Sequence, residues 1–439
     1  MAKIVESSDE KTEATRITGC ELMASYNWMD KPGPSIVVPG MPPKWAPPAV
    51  PQRLREDAGV YYRDRNAARY PEHPMEPAAE AIMRARSAES LDIDVVACGS
   101  TLGNLLRFAR GDDRPFRMLV QVVGRTVHLI RRENSPKETI AGIRGYGHTF
   151  PEAYTSWDPS VRSSLSHQRI LHYQLGSLDC LVRFEGDGYL PEKTKTNTLQ
   201  EKDSKGKARS SPGGEAEIAS VEKLTSFLAQ HGVSSKMSSA PEGPLQISTA
   251  GISVPQQAVF DLKTRSIRRK PEQDAILEGE LPRLWLAQIP NFILAYHSSG
   301  TFTDIQVQDV RPSVAKWESD KEAELRRFAA LLRRIVYLSR GRDDGKLEIV
   351  HGAGEELLQV REQTSDVPAT FSPGTLKRWE RWLGGGAEDV DSDESELEED
   401  DDASYGDHNW LDDDEEDMTA CDKECGYCGR CVYEIKDDR

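Results

Sequence analysis

The sequence lacks long hydrophobic runs. No stretch of its 439 residues resembles a membrane-spanning segment, and the polar residues 1–16 contain no apolar core of a signal peptide. Cys20, Cys98 and Cys180 are scattered through the body of the chain, which suits a reducing compartment. We therefore expect a protein that is not secreted, does not enter membranes and resides in the nucleus or the cytoplasm.

The sequence also lacks the histidine spacings of zinc hydrolases and any excess of positive charge. Its nine histidines form no HxH or HExxH pattern. The formal net charge of −17 argues at first against a nucleic-acid partner. However, residues 387–417 contain eighteen Asp and Glu with no Lys or Arg, so the rest of the chain is close to neutral. The acidity belongs to a tail, and composition leaves nucleic-acid binding open.

Hydrophobic residues make up 37% of the chain, which is low enough that part of it is expected to lie outside a packed core. Lys, Thr, Ser, Gly and Pro dominate one internal segment and acids dominate the C-terminal region. The predicted organisation is a disordered polar leader (1–24), a single nuclease-like domain (25–383) with a disordered insertion at about 193–250, an acidic disordered tail (384–420) and a cysteine cluster (421–431).

Strand and helix patterns are mixed within this domain. Runs 117–123 and 125–131 flank a turn at Gly124, and residues 169–185 contain two strand-like runs. Apolar residues recur at helical spacing over 316–340. The mixture predicts an α+β fold in which a mixed β-sheet core is flanked by helices.

Two short acidic motifs each follow a strand-like run. Glu185 and Asp187 form the first, and Asp261 and Lys263 form the second. Residues i and i+2 of a strand point to the same face, so the members of each pair are expected to lie together. Three carboxylates converging with one amine suit a Mg²⁺- or Mn²⁺-dependent phosphodiesterase, because hard oxygen ligands hold such an ion. Taken singly, the two pairs also fit a polar turn and a surface ion pair.

Two other segments carry residues that suit this chemistry. Glu152 follows the glycine–aromatic run Arg144–Phe150, and Gln288 interrupts the apolar segment Arg283–Pro290. A buried glutamine needs hydrogen-bond partners, which a metal-bound water or a phosphate can supply.

In this order the segments resemble those of the DXO-type family of RNA 5′-end decapping nucleases and pyrophosphohydrolases, whose active site is related to that of PD-(D/E)XK nucleases. The likeness covers roughly residues 92–305, and the chain looks like a divergent, fungal-type branch. The matching segments are His167–Ser177 with Leu181–Asp187 (arginine–leucine–glycine–serine strand and glutamate–x–aspartate motif), Asp261–Thr264 (acid–apolar–lysine), Gly147–Glu152 (glycine–aromatic–glutamate) and Leu284–Gln288 (tryptophan–alanine–glutamine).

The resemblance implies a divalent-metal-dependent nuclease or 5′-end pyrophosphohydrolase acting on RNA. In such an enzyme Lys263 positions the attacking water and Gln288 supports water or phosphate. The residues that the resemblance assigns to Mg²⁺ or Mn²⁺ are Glu152, Glu185, Asp187 and Asp261.

One departure concerns the RNA end. The family's first motif contains an arginine that helps to engage the RNA 5′ end, and Gly99 stands at the matching position here. Arg107 and Arg144 are candidate substrate-binding replacements.

Two other functions remain open. An inactive nuclease fold would bind RNA or proteins without cutting, with the acidic tail engaging a basic protein partner. A remote alternative, prenyl diphosphate synthase, comes from a likeness to fungal proteins that carry such names. It requires two DDxxD-type motifs on facing helices of an all-α bundle, and the one match, Asp413–Asp417, lies inside the acidic run.

Four cysteines, Cys421, Cys425, Cys428 and Cys431, are clustered near the C-terminus. Four thiolates at this spacing can enclose Zn²⁺. Zinc ribbons usually separate their two pairs by more residues, so a redox-sensitive tail without metal is the equal alternative.

Overall fold

The computed structural model describes residues 2–4, 15–86, 91–194, 243–364 and 367–384. These residues form two β-sheets with helices between and around them. The strands are β1 (Ala2–Ile4), β2 (Ile17–Met29), β3 (Ser35–Gly40), β4 (Lys44–Trp45), β5 (Val95–Cys98), β6 (Phe116–Val123), β7 (Thr126–Arg131), β8 (Thr155–Ser156), β9 (Ser164–Leu175), β10 (Leu178–Glu185), β11 (Gly188–Tyr189), β12 (Gln246–Gly251), β13 (Val259–Ser266), β14 (Asn291–Ser298), β15 (Thr301–Asp309), β16 (Lys346–His351) and β17 (Leu358–Arg361). The α-helices are α1 (Arg65–Arg69), α2 (Glu76–Ala85), α3 (Gly99–Ala109), α4 (Thr149–Tyr154), α5 (Gln273–Leu286), α6 (Arg311–Asp320), α7 (Glu322–Arg340) and α8 (Pro373–Leu383).

The larger sheet has eleven strands in the order β1-β17-β16-β6-β7-β5-β10-β9-β2-β3-β12. It is mixed, since β10 runs parallel to β5 and antiparallel to β9. The smaller sheet has the order β15-β14-β13-β11-β4-β8. The α+β fold with mixed sheets flanked by helices, predicted from the sequence, is confirmed.

The chain passes from one sheet to the other at the first acidic motif. Strand β10 ends at Glu185 in the larger sheet, and β11 begins at Gly188 in the smaller one. Gly188 permits this close approach, because a Cβ there would lie 2.4 Å from the Phe260 ring and 2.7 Å from the Pro43 carbonyl oxygen. The two residues between the strands, Gly186 and Asp187, therefore lie at the junction of the sheets.

A layer of helices lies between the two sheets. Leu105 of α3, Trp285 of α5 and Phe328 of α7 share one buried apolar cluster with Val182 of the larger sheet and Phe292 of the smaller sheet. Helices α2 and α8 cover the opposite face of the larger sheet. Since burial of apolar side chains dominates folding free energy, this central layer fixes how the two sheets face each other.

Several element boundaries differ from the sequence predictions. Strand β2 begins at Ile17, inside the expected leader, because it pairs with β9 from Ile17 to Met29. Strand β12 lies inside the expected insertion and pairs parallel to β3. The helix expected over 316–340 is two helices, since Lys321 leaves the helical conformation with ψ of 19°. Residues 195–242 of the expected insertion and 385–420 of the acidic tail lie outside the described residues.

No α-helix among the described residues has the length and apolar character needed to cross a membrane. The two-sheet architecture also differs from the all-α bundle that a prenyl diphosphate synthase requires.

Candidate active site

The two acidic motifs meet where the sheets join. Asp187 Oδ2 accepts a hydrogen bond of 2.8 Å from the backbone N–H of Leu262, the residue after Asp261. Burial raises the pKa of Asp261, and the charge of Asp187 raises it further. Two carboxylates that are distant in sequence are thus brought into electrostatic contact; their predicted role as metal ligands stays a prediction.

Asp261 and Lys263 belong to a network of four charged side chains, of which Asp261, Lys263 and Glu280 are buried and Arg283 is partly exposed. Both Asp261 oxygens accept from Arg283, with 2.7 Å between Arg283 Nη2 and Asp261 Oδ1. Arg283 also donates to Glu280 Oε2 at 2.8 Å, and Lys263 donates to Glu280 Oε1. Arg283 and Glu280 come from one face of α5, three residues apart. Each buried charge is therefore paired.

Burial sets the pKa values in this network. Desolvation raises the pKa of Asp261 to about 6, opposed by Arg283 and reinforced by Asp187. Desolvation likewise lowers the pKa of Lys263 to about 8, opposed by Glu280. Removing one member of such a buried set leaves its partner uncompensated, at a typical cost of about 3–5 kcal/mol.

Glu185 and Glu152 lie in a second cluster around Arg65. Arg65 Nη1 donates to Glu185 Oε1 at 2.8 Å, and its Nη2 lies 3.3 Å from His148 Nδ1. Glu152 lies on α4, and desolvation, followed by the charge of Asp57, raises its pKa, while Arg65 lowers it. Arg65 thus contributes positive charge to both glutamates.

Asp57 holds α4 in place. Its carboxylate accepts from the backbone N–H groups of His148 and Thr149 at 3.0 and 2.8 Å, at the start of that helix. The His148 ring in turn stacks on Tyr61, with centroids 3.7 Å apart. These contacts fix the position from which Glu152 projects.

Gln288 lies two residues beyond the end of helix α5. Its Nε2 donates to the Trp285 carbonyl at 2.6 Å, and its backbone adopts a positive φ of 47°. The Gln288 carbonyl accepts from Gln256, whose side chain also holds the buried Arg169. These bonds give Gln288 a place in the scaffold; its predicted role with water or phosphate stays a prediction.

The remaining predicted residues are Arg107, Arg144 and the four C-terminal cysteines. Arg107 donates to Asn104 on its own helix, α3. Arg144 is an exposed residue of the loop before α4. The four cysteines from Cys421 to Cys431 lie outside the described residues, and zinc binding there stays a prediction.

The side chains of the site have the right ligand atoms for a hard divalent cation, but in this structure they are not arranged to hold one. Asp187, Asp261 and Glu185 offer only oxygen ligands. Within the described ranges, however, no group of three His, Cys, Asp or Glu side chains is close enough to hold a metal ion. Both Asp261 oxygens are bonded to Arg283. A cation at Asp261 therefore requires Arg283 to move away.

Sequence reasoning missed the charged residues that pair with these acids and with Lys263. Arg283 and Glu280 carried a usable signal, since a buried helix rarely has charged residues at i and i+3 unless they are paired. Arg65 carried none, because its contact with Glu185 joins segments far apart in sequence.

Comparison of the fold with solved structures identifies similar proteins. Rai1 of Schizosaccharomyces pombe (S. pombe) in complex with 3'-FADP is similar with a TM-score of 0.51 and 8% identity, over 83% of this chain and 99% of that chain. Scheffersomyces stipitis Rai1 with (3'-NADP)+ and calcium ion gives 0.51 and 12%, over 87% and 100%. Candida albicans Rai1 with pU5-Mn2+ gives 0.50 and 10%, over 87% and 99%.

Because these identities are low, the likeness establishes the fold and nothing beyond the fold. It confirms the resemblance to the DXO-type family at the level of the fold. No curated protein matches the sequence. A family profile described as Domain of unknown function (DUF8563) matches residues 1–361. With most of its length matched, the chain belongs to the family of proteins that share this domain of unknown function (DUF8563), and it has the fold of Rai1.

Proposed function

We propose that this protein is a divalent-metal-dependent hydrolase that acts on phosphodiester or pyrophosphate bonds at RNA 5′ ends. The observation that carries the proposal is the convergence of Asp187 and Asp261 at the sheet junction, with Lys263 on the same strand as Asp261. Its support from the comparisons is the shared fold with Candida albicans Rai1, which was solved with pU5-Mn2+.

In this proposal Asp187 and Asp261 hold Mg²⁺ or Mn²⁺, and Glu185 and Glu152 complete the ligand set. A bound ion of this kind polarises a phosphoryl oxygen and lowers the pKa of its water. The chain's own contribution is orientation: Lys263, held by Glu280, positions the attacking water, and burial of the pair keeps bulk water from competing.

A second candidate function is RNA binding without cleavage. One observation favours it: Arg283 donates hydrogen bonds to both Asp261 oxygens. A positively charged side chain therefore already lies where a metal ion would bind. In that case the carboxylates stabilise the fold and hold no metal ion.

The deciding experiment incubates the purified full-length protein with 5′-monophosphate, 5′-triphosphate and capped RNAs, in Mg²⁺ or Mn²⁺. The variant is Asp187→Asn, because Asp261 also holds Arg283 and its removal endangers the fold. Glu192→Gln, an exposed acid nearby, is the matched control. We expect Asp187→Asn to lose at least about 100-fold in rate and Glu192→Gln to match the wild type.

Equal activity in Asp187→Asn and the wild type would contradict a role for this site in hydrolysis. RNA binding with no cleavage under any of these conditions would establish the second candidate instead. A nuclear or cytoplasmic location, and a basic protein partner for the acidic tail, stay part of the proposal.

A further inference from the structure

A polar cavity lies beside the Glu185 end of the candidate site. It opens to solvent between the start of α3 and the β6–β7 hairpin, and its volume is about 540 Å³ when the open solvent at its mouth is included. Apart from Pro115 and Phe116, its lining side chains are polar or charged. Four of them are arginines, namely Arg63, Arg117, Arg131 and Arg132, and the first turns of α3 add Ser100 and Asn104.

Three of these arginines have carboxylate partners. Arg63 lies 3.1 Å from Glu138, Arg117 lies 2.8 Å from Glu348, and Arg131 pairs with Glu133. The paired arginines are therefore largely balanced within the protein.

Arg132 differs from the other three. The residue is half-buried, and its guanidinium forms no ion pair with any residue in the described ranges. A guanidinium without a counterion attracts an anion, and its planar donors match phosphate oxygens. Helix α3, eleven residues long, begins at the same cavity, and its N-terminal dipole adds positive potential there.

The cavity adjoins the carboxylates through two short links. Ser100 follows Gly99, and a Cβ placed on Gly99 would lie 3.7 Å from the Cβ of Phe184. Phe184 directly precedes Glu185. Arg63 lies two residues before Arg65, which binds Glu185. A nucleic-acid strand that ends at the carboxylates can therefore place a neighbouring phosphate in the cavity.

We propose that this cavity binds a backbone phosphate of RNA, with Arg132 as its main ligand and Ser100 and Asn104 as further donors. It supplies the RNA contact that the sequence lacks at Gly99. The inference rests on the proposed function in that it takes RNA as the ligand, but it requires no hydrolysis.

The test measures binding of a fluorescent 5′-phosphorylated oligoribonucleotide to the full-length protein by anisotropy, in EDTA so that cleavage plays no part. We expect Arg132→Gln to weaken binding about tenfold, the effect of losing one charge-assisted hydrogen bond. The slope of log K against log salt should fall by about 0.7, the value for one phosphate contact on a single strand.

Arg342→Gln is the matched control, because Arg342 pairs with Asp344 near the opposite end of the β6–β7 hairpin. It should bind as the wild type does, and thermal unfolding should show that both variants fold. Unchanged RNA affinity and salt slope in Arg132→Gln would overturn the proposal.

A second arm separates failure of this inference from failure of the proposed function. Inorganic phosphate is added to the wild type and to Arg132→Gln, and stabilisation against heat is recorded. If RNA binds the wild type and Arg132→Gln equally, the cavity inference is wrong while the hydrolase proposal survives. If phosphate stabilises only the wild type and RNA does not bind either protein, the cavity takes free phosphate and the cavity inference is wrong, while the cleavage assay in Mg²⁺ or Mn²⁺ decides the hydrolase proposal separately.

Discussion

Arg283 controls the charge at the candidate site. Three carboxylates, Asp187, Asp261 and Glu280, interact there with two cations, Lys263 and Arg283. Loss of Arg283 leaves Lys263 alone against three acids, a balance that a divalent ion can neutralise. Arg283 and a metal ion are therefore expected to compete for Asp261.

Arg283→Gln should raise the affinity for Mn²⁺ at least about tenfold, since one opposing unit charge in contact with the ligand is removed. Isothermal titration calorimetry of the RNA-free protein measures this directly. Arg283→Lys keeps the charge and should bind Mn²⁺ about as weakly as the wild type. Equal Mn²⁺ affinity in the wild type and both variants would show that Arg283 does not compete with the ion.

Gly99 gives a test of the missing arginine. A Cβ there would meet Phe184 Cβ at 3.7 Å and the Arg183 carbonyl oxygen at 3.8 Å, which are ordinary contacts. Gly99→Arg should therefore fold and raise RNA affinity about tenfold by adding one phosphate contact. Anisotropy titration with Gly99→Ala as control measures the gain; a folded Gly99→Arg with unchanged affinity would argue that RNA passes elsewhere.

For individual residues of the candidate site, the sequence indicated the acidic residues but not the arginines that pair with them. Asp187, Asp261 and Lys263 were singled out from the order of short motifs, and strand periodicity also links Asp261 to Lys263. Asp187 itself lies between strands β10 and β11. Arg65 and Arg283 decide what those acids do in the folded chain, and their contacts depend on packing between separate elements. Gln288 was identified as a polar residue in an apolar segment, but its bond to Trp285 follows from the helix end.

Among the elements, β7 and α8 are coupled through a buried histidine. His128 on β7 is fully buried and contacts the rings of Phe371 and Trp379, the latter on α8. Burial lowers the pKa of His128 from 6.5 to about 4. The folded protein therefore keeps this side chain neutral where the unfolded chain would protonate it.

The lowered pKa of His128 predicts that acid destabilises the folded protein. Below pH 6.5 the unfolded chain binds a proton that the folded chain refuses, so the free energy of unfolding falls as pH drops towards about 4. The loss from this residue reaches about 3 kcal/mol. Urea unfolding of the wild type and His128→Leu at several pH values checks it: the variant should have a flatter profile between pH 6.5 and 4, and parallel profiles would contradict the assignment.

Elements with strong local signals were predicted well. The β6–β7 hairpin follows from two apolar runs around Gly124, which adopts a positive φ of 60°. Strand β12 was missed because its polar residues look like a loop, and it becomes a strand by pairing with β3. Strand β2 was missed, because its first half is exposed and acquires its conformation by pairing with β9.

For the whole molecule, the two-sheet architecture explains why distant motifs form one site. The chain crosses between the sheets at Gly186 and Asp187, and the second acidic motif lies on β13, which pairs with the strand reached by that crossing. Sequence order alone indicated which motifs belong together. The junction that joins them, and the arginine-lined cavity beside it, required the fold.

The most direct test is a crystal structure of the protein with Mn²⁺ and a 5′-phosphorylated oligoribonucleotide, using anomalous scattering at the manganese edge. We predict a manganese peak bonded to Asp187 and Asp261, Arg283 moved away from Asp261, and the RNA 5′ end beside Lys263. RNA bound away from these residues, or Arg283 still bonded to Asp261 with no manganese peak beside it, would contradict the proposed function.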